Sequence, residues 1–119
     1  MTFQRRSEPR VPVPPGAGLR CEMRVGALSF DAEVVDISLR GVGTLDYDAR
    51  VRIEPGTRIE RARIVHAQHQ PVVVDLEVRH IARVVDRDGR EANRAGCHIS
   101  GAQKDIEDLV KLFVAELGE

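Results

Sequence analysis

A chain of 119 residues is one domain by length and can bury a core without a disulfide framework or a structural metal. Its formal net charge of -1 excludes a general electrostatic attraction to nucleic acid, so any anion site has to be a local cluster. Of the 18 basic residues only Lys104 and Lys111 are lysines and the rest are arginines, whose planar forks suit bidentate contacts but also follow from a GC-rich genome. Residues 1–16 hold Arg5, Arg6 and Arg10 with four prolines, Pro9, Pro12, Pro14 and Pro15. Proline cannot continue a helix or donate within a sheet, so this segment reads as a flexible extended arm with no place in the sheet.

From Leu19 the apolar residues Leu19, Cys21, Met23 and Val25 alternate with charged ones, the period of a half-buried strand. Gly26-Ala27 turns the chain into a second strand, Leu28, Phe30, Ala32, Val34 and, after Val35, Ile37. This strand ends in the turn Asp36-Ile37-Ser38-Leu39-Arg40-Gly41, where Asp36 and Ser38 point the same way and Gly41 permits close approach. A third strand covers Val42 to Tyr47, and Glu54-Pro55-Gly56 is a turn. Further strands follow around Ile59 to His66 and from Pro71 through Val78 towards Val85. Asp86-Arg87-Asp88-Gly89 makes a hairpin, and Ala95, Cys97 and Ile99 face one way on the return strand.

The last segment changes period. Ile106, Leu109, Val110, Phe113, Val114 and Leu117 form one stripe of a helix at about 103–117, which Gly118 would stop. The predicted fold is therefore mainly β, a six-stranded antiparallel barrel over 17–119 with a C-terminal helix, since closure removes exposed strand edges.

Few residues suggest chemistry. His66 and His69, three apart in one strand, would face opposite sides, and no third ligand points to zinc. No serine sits in a strand-turn-helix nucleophile setting, so an enzyme is not expected. Cys21 and Cys97 read as small buried hydrophobes in a reducing cytoplasm. Neither a run of about 18 apolar residues nor a charged-then-apolar leader is present, so no membrane insertion and no secretion are expected. With no Trp, one Tyr and three Phe, stacking of a nucleic-acid polymer on aromatic platforms is not expected either.

Two motifs remain, Arg6-Ser7-Glu8-Pro9-Arg10 (R-x-x-x-R) and Asp36-Ile37-Ser38-Leu39-Arg40-Gly41 (D/N-x-S-x-x-G). Their order, separation and placement on an arm and a strand end resemble the PilZ domain, the bacterial receptor module for cyclic di-GMP. Arg5 matches an extra arginine often found before the arm motif. The long hairpin, the Gly96-Cys97-His98-Ile99 step and the terminal helix resemble the PilZ half of flagellar-brake proteins.

The resemblance implies a cyclic di-GMP site made of Arg5, Arg6, Arg10, Asp36, Ser38 and Gly41, with no further cofactor and no metal. Arginine forks suit phosphate oxygens or guanine O6 and N7, and a carboxylate suits the guanine N1–H and N2–H donors. It further implies relay to a protein effector such as a flagellar motor or polysaccharide-synthesis component, controlling motility or biofilm. A PilZ-like interaction module that no longer binds nucleotide is the alternative.

Overall fold

The structure, a computed structural model, describes residues 10–14 and 16–117, with side chains as far as Leu112. In chain order it contains β1 (Val11–Pro12), β2 (Arg20–Val25), β3 (Leu28–Ile37), β4 (Gly41–Asp46), β5 (Arg58–His66), β6 (His69–Val85), β7 (Glu91–Ser100) and α1 (Gln103–Leu117). The strands run β3-β2-β5-β6-β7-β4, all antiparallel, and a β3–β4 pairing closes the six into a barrel. β3 achieves the closure by dividing its length: its first half pairs with β2 and its second half with β4.

Alternate residues fill the interior, among them Cys21, Val34, Val42, Ile64, Val78 and Ile99, each less than 4% exposed. Ile106 and Leu109 bury the first turns of α1, which packs beside β1 and β6. The side chains of Phe113, Val114 and Leu117 lie outside the described residues.

Three strands, β3, β5 and β6, change phase partway along, and the changes in β3 and β6 shape the surface described below. Phe30, Ala32 and Val34 point into the barrel, so strict alternation would send Asp36 inward as well. A bulge between Val34 and Asp36 instead turns Asp36 outward and drives Ile37 into the core, where it is 0% exposed. In β6, Val72, Val74, Leu76 and Val78 point inward, and a bulge between Val78 and His80 turns His80 outward. An extra residue in one strand flips every side chain beyond it to the other face.

Two sequence expectations are corrected. Val11 and Pro12 do join the sheet, opposite Ile37 and Asp36, and the Val13 N–H donates to the Val35 carbonyl at 2.9 Å. Proline is tolerated because β1 pairs with β3 alone, as on a sheet edge. Burying Val11 and Val13 fixes this inner end of the arm, each contributing up to about 2 kcal/mol. His66 and His69 do not share one strand. The chain turns at residues 67–68, so they become register partners on β5 and β6.

One buried carboxyl lies off the site. Asp46 points inward near the β6–β7 hairpin, where Asn93 Nδ2 (3.3 Å) and the Asp48 N–H (3.2 Å) donate to it. Burial raises its pKa, against the lowering effect of those donors. A raised folded pKa means that the native state holds the proton more tightly than the unfolded chain. Stability is therefore lost as pH rises from the ordinary carboxylate range through the raised value. Asp46→Asn is expected to be the more stable protein at neutral pH, by roughly 2–5 °C, with the advantage vanishing below about pH 4. Thermal melts of both proteins from pH 3 to 8 check this. An advantage that does not change with pH would remove burial of the charge as its cause.

Candidate ligand-binding site

The site grows from the β3 bulge. Once turned outward, the Asp36 carboxylate lies across β4 above Gly43, its register partner. A Cβ at residue 43 would stand 2.7 and 2.9 Å from the two carboxylate oxygens, closer than real contacts allow, so only glycine leaves the carboxylate this seat. Two guanidiniums hold it there. Arg10 Nη1 donates to Oδ1 at 2.5 Å, and Arg94 Nη2 donates to Oδ2 at 3.1 Å.

Arg10 reaches Asp36 because its strand-like alternation with Val11 puts it on the outer face while Val11 anchors it. Arg94 comes from β7, 58 residues away in sequence. The Asp36 side chain is 16% exposed against 34% and 48% for its partners, so the carboxylate is the recessed member of the cluster.

The turn after β3 completes this corner. The Ser38 N–H donates to the Gly41 carbonyl at 2.8 Å, and the Arg40 carbonyl accepts from the Ile99 N–H. Ser38 is buried, with its hydroxyl 3.5 Å from the Gly41 carbonyl, the outer limit of a hydrogen bond. A Cβ on Gly41 would lie 3.3 Å from Ser38 Oγ and 3.4 Å from Arg10 Nη2, so this glycine also keeps the corner open.

Thus four of the six residues singled out in the sequence, Arg10, Asp36, Ser38 and Gly41, meet on one face, whereas Arg5 and Arg6 lie outside the described residues. A groove of about 430 Å³ opens beside them, lined by Arg10, Asp36, Gly43, His80, Arg94 and Gly96. Sequence reasoning missed Gly43, His80 and Arg94, and it noted Gly96 as part of the Gly96-Cys97-His98-Ile99 step but not as a site residue. The one available signal was the phase slip at Val35, which marks β3 as irregular just before Asp36.

Away from this face, the carboxylates of another hollow are paired. This hollow of about 590 Å³ beside β2 and β3 contains Glu22 paired with Arg63 (3.4 Å), and Asp31 paired with Arg20 (2.5 Å). Burial pushes the thiols of Cys21 and Cys97 up to about 12 and about 11, far from nucleophilic thiolates.

Comparison with known proteins bears on the family and the fold. The family model described as "PilZ domain" matches residues 4–116. The flagellar brake protein YcgR of Thauera aminoaromatica is 24% identical over 119 residues, covering 96% of this chain and 45% of that protein, so the chain spans less than half of that relative. Among solved structures, the K. pneumonia MrkH–c-di-GMP complex superposes with a TM-score of 0.83 at 18% identity, over 98% of this chain and 55% of that one. The PilZ domain of YcgR from Escherichia coli, solved with c-di-GMP, superposes with a TM-score of 0.78 at 18% identity, over 95% and 94%. At such identities the likeness establishes the fold.

Proposed function

We propose that this chain, which belongs to the PilZ domain family, binds cyclic di-GMP on the Arg10–Asp36 face and relays the second messenger to a protein partner. The observation that carries the reading is the direct contact between the two motifs: Arg10 of R-x-x-x-R on Asp36 of D-x-S-x-x-G, with Ser38 and Gly41 beside them. Solution of the MrkH and YcgR relatives with c-di-GMP supports the choice of ligand.

In this reading Asp36 accepts from the guanine N1–H and N2–H groups. Arg10, with Arg5 and Arg6 from the arm, takes phosphate oxygens or the O6/N7 edge through paired N–H donors. Ser38 serves a base edge or a phosphate, and Gly41 lets the ligand approach the backbone. Since Arg10 and Arg94 already occupy part of Asp36, the base has to share or displace them. The ligand thereby couples to the arm at its anchored end. The output is a change in the surface presented to an effector controlling motility or exopolysaccharide, in the cytoplasm and without chemistry of the domain's own. No helix among the described residues is long and apolar enough to cross a membrane.

Isothermal titration tests the reading. Cyclic di-GMP is expected to bind at least tenfold more tightly than cyclic di-AMP or GMP, because adenine lacks the paired donors that Asp36 accepts and GMP lacks the second nucleotide. Equal heats with cyclic di-AMP would remove guanine recognition, and no heat with any of the three would favour an interaction module without a nucleotide.

A further inference from the structure

The geometry points to His80 as a further guanine-reading residue, facing Asp36 across a floor of two glycines. The inference deepens the cyclic di-GMP reading and rests on it. Asp36 pairs in register with Gly43, Gly43 with Gly96, and Gly96 with His80, so the four residues form one row across β3, β4, β7 and β6. The two middle positions carry no side chain, and the outer two lean towards each other over them. A Cβ at residue 96 would stand 2.3 Å from His80 Nε2 and 2.6 Å from its Cδ2, so the tip of the imidazole occupies the space above Gly96 just as the Asp36 carboxylate occupies that above Gly43.

Both side chains are on the outer face for the same reason, a one-residue bulge immediately before each of them. Bulges that re-aim a side chain are characteristic of sites. His80 is exposed and has no hydrogen bond or ion pair among the described residues. Asp36, in contrast, is held on both oxygens.

Their separation decides what the pair can grip. Gly43 and Gly96 are partners on neighbouring antiparallel strands, whose Cα atoms are roughly 5 Å apart. The carboxylate and Nε2 above them are therefore spaced by about one strand. That is too close to hold a purine between them in its plane, but it suits one edge standing on the row. The Watson–Crick edge of guanine offers N1–H and N2–H donors beside the O6 acceptor. The carboxylate accepts from the first two, and the imidazole donates Nε2–H to O6. Adenine presents an amino donor where guanine has O6, so its amino group would meet the imidazole donor instead of an acceptor.

The merely structural role for His80 is to shelter a cross-strand glycine, as an aromatic ring can. Substitution separates the two roles, because phenylalanine keeps a ring and loses the donor, whereas glutamine loses the ring and keeps a donor. Titration of cyclic di-GMP into the whole chain is expected to show His80→Ala and His80→Phe binding about tenfold more weakly and His80→Gln within about threefold of the parent. Thermal midpoints of all three should stay close to the parent's. Binding by His80→Phe at parental affinity, or by all three variants at parental affinity while Asp36→Ala is impaired, would overturn the role of His80 and leave the cyclic di-GMP site standing. Failure of the parent to bind, or parental affinity in Asp36→Ala, would overturn the site itself and this inference with it.

Discussion

Asp36→Ala is expected to lose roughly 30- to 150-fold in affinity for cyclic di-GMP, about 2–3 kcal/mol, while the thermal midpoint of the free protein moves by only a few degrees. The loss is large because one carboxylate serves two purposes, accepting from the base and holding Arg10 at the inner end of the arm. Little stability is at stake, since both partner guanidiniums are at least a third exposed and such pairs give at most about 1 kcal/mol each. The desolvation of the recessed carboxylate offsets part of even that. Asp36→Asn keeps the shape and one acceptor and is expected to fall between parent and alanine. Titration calorimetry and melting of the same preparations check both halves. A fall of more than about 10 °C in Asp36→Ala without ligand would make Asp36 chiefly a structural residue.

Gly43→Ala is expected to weaken cyclic di-GMP about tenfold through a methyl group placed under the carboxylate. The new Cβ would lie within 3.0 Å of Oδ1, Oδ2 and Cγ of Asp36, so the carboxylate has to swing aside. Its position at the end of a side chain makes that movement cheap for the fold, and the midpoint should shift by only a few degrees. The same movement disturbs the hydrogen bonds to Arg10 and Arg94 and the presentation to the base. A larger residue such as valine at 43 would also block the glycine floor, with a correspondingly larger loss. Parental affinity in Gly43→Ala, measured by the same titration, would show that the seat of the carboxylate does not matter to recognition.

The alternations from Leu19 to Val25 and from Val72 to Val78, and the change of period at Ile106, were legible because burial on one face imposes a period of 2 on strands and 3.6 on helices. These local patterns predict the barrel and its helix, and the two motifs predict the corner formed by Arg10, Asp36, Ser38 and Gly41. Tertiary structure alone decided the rest. Arg94 reaches Asp36 only because the β3–β4 and β4–β7 pairings bring them together. Gly43 and Gly96 read as weak points in two separate strands until register sets them side by side. His80, in a run where Val78, Ile81 and Val84 fit either phase, could be assigned to a face only once the bulge after Val78 was located. The physical reason is that a strand's own sequence sets which residues alternate, whereas the partner strand sets where the alternation slips. Because a slip of one residue exchanges inside for outside, the outward aim of His80 is a property of the closed sheet, whereas that of Asp36 is already marked in its own strand by the apolar pair Val34-Val35 ahead of Ile37.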